Sequence, residues 1–368
     1  MGTRIRLKGL TWDHRRAIDP MIAAAKAFAE QRPDVEIAWD VQPLSGFEFR
    51  PIDDIVRDYD LLVFDHPHIG HAAEAGLLRP LDHLLPRDTF IGPSLATYRW
   101  QEALWAVPID AACQTACYRP DLLPEGPPAT WSEMMALAGG RRLACGLKGV
   151  HAFMCFLTLA ANLGDPSRQE KAGPLVRRET ATTVLAMLRQ LAAACPPEAL
   201  DWNSIALQDA MCVRDDLAYC PFVYGFATYA EADRVPRLAY ADIPDAGGLG
   251  PVGSTIGGAG LGVSARTREA DAAEGFAAFM AEGATQCGIV ARCHGQPAHR
   301  DAWDDPEIDA RFGGFFTATR PTIEASAIRP RHAGYMMLQA AAGPLIEGHL
   351  RGEIAEAAVL AGLGIALE

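Results

Sequence analysis

Residues 60–71 read "DLLVFDHPHIGH". The run Leu61–Phe64 is uninterrupted and apolar, as expected of a strand covered on both faces, the usual state of strands in a parallel sheet. It stops at Asp65, and His66, Pro67, His68 and His71 follow. A covered strand that ends in an acid and several histidines predicts a strand end where a ligand is read.

The preceding residues give this strand its context. "TRIRLKGLTW" is a strand candidate, and "IDPMIAAAKAFAEQRP" a helix with Asp19 as N-cap and Pro20 in its first turn. Met21, Ile22, Ala25, Phe28 and Ala29 fall on one face of that helix. In "VEIAWDV", Val35, Ile37, Trp39 and Val41 alternate as in a half-buried strand. "PIDDIVRDY" is a short helix leading into the covered strand. The order βαβαβ is that of a doubly wound open sheet. Ligands of such sheets bind beyond the carboxyl ends of the strands. Trp12, Asp13 and His14 end the first strand, Gln42 to Ser45 follow the second, and Asp65, His66 and His68 end the third. These residues are expected to converge on one crevice.

Composition narrows the class of partner. The chain has 368 residues, enough for two domains of ordinary size, and 49% are apolar. No apolar run approaches the roughly 18–20 residues of a membrane span. The net charge is −13, from 46 acidic and 33 basic residues, which argues against nucleic acid and anionic membrane. A small-molecule partner is expected, with no membrane insertion and no cofactor. Nine cysteines, an odd number in apolar contexts such as those of Cys155 and Cys195, read as reduced buried thiols. The opening "MGTRIRLKGLTWDH" has no apolar leader core. As it stands the chain reads as cytoplasmic; it reads as periplasmic if a leader has been removed.

A second unit begins near residue 115. "ATWSEMMALA" places Thr130 and Glu133 at capping-box spacing. "RRLACGL" reads as a strand, "HAFMCFLTLAANLG" as a buried helix, and "ETATTVLAMLRQLAAAC" as a long amphipathic one. "LAYCPFVYGFATYA" is a strand followed by an aromatic loop. Eight glycines lie between Gly247 and Gly262. They fit neither phosphate-loop nor dinucleotide spacing and predict a loop of close backbone approach.

Along nearly its whole length the chain resembles the family 1 extracellular solute-binding proteins of ABC-type carbohydrate importers. The resemblance rests on "LTWDH…IDPMIAAAKAFAEQRPDVEI", on "YDLLVFD" followed by "AGLLRPLD", and on "EALWAVPIDAACQTACYRPDLLPEGPPATWSEM". It also rests on "GGAGLGVS" through "AAEGFAAFMAEGATQCGIVARCHGQPAH". It implies a two-lobed periplasmic-binding-protein-like α/β fold of type II. Each lobe is a doubly wound sheet with flanking helices, and crossing strands join the lobes near Pro108–Ala112, Ile256–Gly262 and Phe312–Ala318. The N-terminal lobe is then 1–110 plus 258–312 and the C-terminal lobe 111–257 plus 313–368. The ligand cleft lies between the lobes and closes by hinge motion. The implied function is capture of a sugar or sugar-like solute by a monomer that serves an importer permease. The loops here are richer in histidine than the Asp, Glu, Asn and aromatic platforms of that family.

The expected ligand contacts are Trp12, Asp13, His14, Asp65, His66, His68, Asp110, His151, Tyr224, Tyr229 and Gly258. An H-x-H pair at a strand end is also the geometry of a metal site. Ligand hydrogen bonding or helix capping is the favoured reading, because Pro67 fixes the backbone and His71 faces away. No G-x-S-x-G elbow is present. The Asp13–His14 and Asp65–His66 pairs could transfer protons, and a cytoplasmic enzyme or sensor acting on a small acidic or sugar-like metabolite is the alternative. Binding needs fewer assumptions than catalysis and is preferred.

Overall fold

The first helix opens at Arg15, not at Pro20, and runs to Gln31 in the computed structural model, which describes residues 4–84, 89–140 and 142–365. His14, not Asp19, is its N-cap: the backbone is extended (φ −161°, ψ 145°) and the ring accepts the Arg16 N–H. That cap opens the helix one turn before the proline, and Arg16, only 5% exposed, pairs there with Asp110. The buried face is accordingly Ala17, Pro20, Met21, Ala24 and Phe28, while Ile22 is exposed.

Among the described residues there are nine strands, in chain order: β1 (Ile5–Trp12), β2 (Val35–Gln42), β3 (Leu61–Phe64), β4 (Arg99–Trp100), β5 (Ala103–Leu104), β6 (Val107–Tyr118), β7 (Tyr219–Tyr224), β8 (Ala239–Ala241) and β9 (Ile256–Val263). The chain divides into two compact units. Unit 1 comprises residues up to Ala111, Gly257–Asp309 and Arg331–Ala333; unit 2 comprises Ala112–Ile256, Ala310–Pro330 and residues from Gly334 onward. The chain therefore changes unit inside β6 and at the start of β9. It changes again at Asp309–Ala310, before the helix Phe315–Glu324, and on either side of the short return Arg331–Ala333.

In unit 1, β1 is central. It runs parallel to β2 from Ile5↔Val35 to Trp12↔Gln42, and parallel to β3 at Gly9↔Leu61 and Leu10↔Leu62. β9 then pairs antiparallel with β3, from Leu61↔Val263 to Phe64↔Gly260. All four residues of β3 are buried, as its composition requires. One face is covered by the helices Arg15–Gln31 and Ala270–Ala281, whose Phe28 and Phe276 rings meet edge to face at 5.5 Å. β4 and β5 form a two-residue hairpin whose turn residues, Gln101 and Glu102, both have positive φ.

In unit 2, the later part of β6 pairs antiparallel with β7 and, on its other side, with β8. Helix Val150–Asn162 is buried at every residue, as its largely apolar sequence predicts, and packs on helices Arg178–Ala194 and Tyr335–Leu350. Thr130 and Glu133 form the expected reciprocal capping box. "RRLACGL", of which Arg141 lies outside the described residues, is not a strand. Leu143 makes a single parallel bridge to Tyr219, after which Leu147 N turns to the carbonyl of Ala199. The glycine-rich stretch is partly a strand: Gly257, Gly258, Gly260 and Gly262 lie in β9. Cys113, Cys117, Cys145, Cys155, Cys195 and Cys220 are buried free thiols.

Candidate functional site

Because β1, β2 and β3 are parallel, Trp12, Gln42 and Phe64 end at one edge of the unit 1 sheet. This is the carboxyl edge at which open α/β sheets bind ligands. Trp12 is 5% exposed, whereas Asp13 beside it is exposed and donates its N–H to the Gln42 carbonyl at 2.8 Å. The His14 ring stacks on Trp12 (centroids 5.5 Å apart, planes 17° apart), and its Nδ1 accepts from Arg16 N at 3.1 Å. The half-buried His14 ring thus lies over the buried Trp12, with the exposed Asp13 carboxylate between them in sequence.

At the end of β3, Asp65 caps the 3₁₀ turn His66–His68. Its Oδ1 accepts from His66 N at 2.9 Å and lies 3.2 Å from His66 Nδ1. His66 is 0% exposed, with its ring set edge to face against Tyr98, so it supports the loop from beneath. Tyr98 in turn donates its hydroxyl to the Phe64 carbonyl at 3.2 Å. It fits there because residue 260 is glycine, since a Cβ would come within 2.5 Å of the ring. His68 is buried as well, and His71 pairs with Asp53 at 2.7 Å. Among the described residues, no group of three or more His, Cys, Asp and Glu could hold a metal ion.

Asp110 and Gly258 lie on neighbouring stretches of β6 and β9. Both carboxylate oxygens of Asp110 accept from Arg16, Nε to Oδ2 at 2.7 Å and Nη2 to Oδ1 at 2.5 Å. Gly258 has φ +98°, and a Cβ there would stand 2.3 Å from the Asp110 carbonyl oxygen. The close backbone approach expected of the glycine-rich stretch is at this point. Arg16 has a local signal that sequence reasoning passed over: two arginines occupy the first turn of the helix against the sense of its dipole.

Unit 2 carries the other three expected contacts. His151, in the first turn of helix Val150–Asn162, is 7% exposed, and its Nδ1 lies 3.3 Å from Ser204 Oγ. Burial, aided by Lys148, pushes its pKa down to about 4. Gln208, one turn after Ser204, donates to the Ser204 carbonyl and to the Tyr224 carbonyl. Ser204 and Gln208 therefore link His151 with Tyr224, and neither stands out in "SIALQDAMCV". Tyr229 is buried, donates its hydroxyl to Asp209 at 2.7 Å and lies under the Arg234 guanidinium. Burial and the Asp209 carboxylate raise its pKa, which keeps it a neutral donor.

This chemistry suits recognition better than catalysis. His14 and Asp65 are engaged in capping turns, and the buried His151 is a weak base at neutral pH. Partly exposed carboxylates, aromatic surface and backbone amides are what a neutral polar ligand requires.

Residues 23–308 match the family described as bacterial extracellular solute-binding protein. Among solved structures, the chain is similar to maltose-bound MalE3 of Thermotoga maritima (TM-score 0.82, 16% identity, 98% of both chains covered). It is also similar to a solute-binding protein of Agrobacterium radiobacter in complex with ribitol (0.81, 18% identity, 98% of this chain and 97% of that one). A third similar structure is the GacH receptor of Streptomyces glaucescens, described unliganded and with acarbose (0.80, 18% identity, 98% and 96% covered). The fold is that of the two-lobed periplasmic binding proteins.

Proposed function

We propose that this chain, which belongs to the bacterial extracellular solute-binding family, captures a sugar or sugar-like polyol as the binding component of an ABC-type importer. One observation carries the reading. The family match spans residues 23–308 and so takes in the β3 and β9 strand ends of unit 1 together with the Ser204–Tyr224 region of unit 2. The proteins of similar fold are described with maltose, ribitol and acarbose, all rich in hydroxyl groups. Within unit 1, Asp13 and Asp65 would accept from such hydroxyls, the His14 ring would face the apolar side of a sugar ring, and Gly258 would add a backbone contact, with His66 and His68 supporting these groups from the interior. Within unit 2, His151 and Tyr229 would support Tyr224. The protein would act as a monomer outside the cytoplasmic membrane, in the periplasm, and hand its solute to a permease.

Mass spectrometry of small molecules carried through purification, followed by calorimetry with maltose, acarbose, ribitol and D-tagatose, tests the reading. A bound carbohydrate or polyol is expected, and saturating it at about 100 times Kd should raise stability by about 2.7 kcal/mol. Absence of carried carbohydrate together with no heat from any of the four would overturn the sugar assignment.

A further inference from the structure

We propose that the buried Arg16–Asp110 pair is a positioning device. It fixes the turn that carries Trp12, Asp13 and His14 to the crossover strand β6, so that Arg16 sets ligand affinity without touching ligand. The inference rests on the reading of that turn as ligand-binding. It changes the part assigned to Asp110, from ligand contact to anchor.

The geometry is that of a two-pronged guanidinium–carboxylate fork, with distances of 2.7 and 2.5 Å. The side chains are 4% and 13% exposed. Nothing local favours an arginine at this position: the first turn of the helix holds no acidic residue, and a cation there opposes the helix dipole. The partner that makes it favourable is 94 residues away in sequence. Asp110 is itself immobilised. Ala111 exchanges two hydrogen bonds with Gln296 (N to O at 3.0 Å, Nε2 to O at 2.8 Å), and the Pro108 carbonyl accepts from Gln286 Nε2 at 2.9 Å. Gly258 packs against the Asp110 carbonyl from β9. From this fixed point the linkage runs outward, from Asp110 to the Arg16 side chain, from Arg16 N to the His14 ring, and from that ring to Trp12. The gap bordered by Trp12, Arg16, Pro20, Asp110 and Ala259 is about 10 Å³, room for about one water.

A buried ion pair rarely adds stability over an apolar pair of similar size, and fixing one arrangement is its best-attested use. If the pair is an anchor, its two halves act as one unit. Arg16→Met, Asp110→Asn and the double variant Arg16→Met/Asp110→Leu should then weaken the carbohydrate found by the panel above to the same extent, each about tenfold, with the double no worse than either single. In the ligand-free proteins, the His14 ring resonances should move in all three variants. A much larger loss in Asp110→Asn than in Arg16→Met, or additive losses, would make Asp110 a direct ligand contact and overturn the proposal. Unmoved His14 resonances would overturn it too, whether or not any sugar binds, which separates its failure from that of the sugar reading. Where a single variant fails to fold because one charge is left buried, the apolar double decides: wild-type affinity and an unmoved His14 would refute the anchor.

Discussion

Replacing His151 with glutamine should remove much of the protein's sensitivity to mild acid. The folded imidazole is held neutral by burial, with Lys148 nearby, and its pKa is about 4 against 6.5 for a free side chain. Its place in the first turn of a helix acts in the same direction. Between pH 6.5 and 4 the unfolded chain binds a proton that the folded chain refuses, so stability must fall as pH drops through that window. At about 1.4 kcal/mol per pH unit, the full window is worth about 3 kcal/mol, as an order of magnitude. Urea unfolding of wild type and His151→Gln at pH 7.5 and 4.5, followed through Trp131 and Trp202 of unit 2, isolates this term. The difference in pH slope is the quantity to compare, because the substitution also changes packing at Ser204. Wild type should lose about 2–3 kcal/mol more than the variant on going to pH 4.5. Equal slopes, or a His151 ring that titrates near 6.5 by NMR, would refute the argument.

Other outcomes follow from the same contacts. His66→Ala, which empties the space between Asp65 and Tyr98, should weaken solute binding tenfold or more by calorimetry, about 1.4 kcal/mol. Gly258→Ala combines a positive φ with a 2.3 Å approach to the Asp110 carbonyl and should cost about 3 kcal/mol or more in chemical denaturation. Burial holds the Cys113 and Cys195 thiols protonated, with pKa raised to about 12 for each. A thiol reagent applied to the native protein should therefore label at most Cys212, Cys287 and Cys293, the half-buried ones, and all nine cysteines after unfolding. Rapid labelling of Cys145 or Cys155 in the native state would contradict their burial.

The elements legible in the sequence were those whose cause is local. Leu61–Phe64 announces a covered strand by composition, and Thr130 with Glu133 announces a helix start by spacing. The elements that escaped depend on distant partners or on unmarked backbone. The first helix begins at Arg15, capped by a histidine, which is not a usual capping residue, and the two arginines of its first turn hint at an outside partner without naming Asp110. The Arg99–Leu104 hairpin turns through Gln101 and Glu102 at positive φ, without the Asn or Gly that signals such a turn. At the site, strand order alone brought Trp12, His14 and Asp65 to one edge, since parallel strands must end together. Ser204 and Gln208 lay unmarked in an ordinary helix pattern, and only the fold sets them against His151 and Tyr224.

The pairing of β3 with β9 has a consequence for synthesis. Leu61 meets Val263, so the inner edge of β3 waits for a strand made about 200 residues later. At roughly 5–20 residues per second, that is about 10–40 s of elongation with an apolar edge unpaired. The stretch Ala112–Ile256 emerges meanwhile as one uninterrupted piece of unit 2, whereas unit 1 stays incomplete until β9 arrives. For a nascent chain, the hazardous interval closes only after Gly260–Val263 has left the ribosome. A ribosome stalled before that point would display the Leu61–Phe64 edge as a template for the wrong strand.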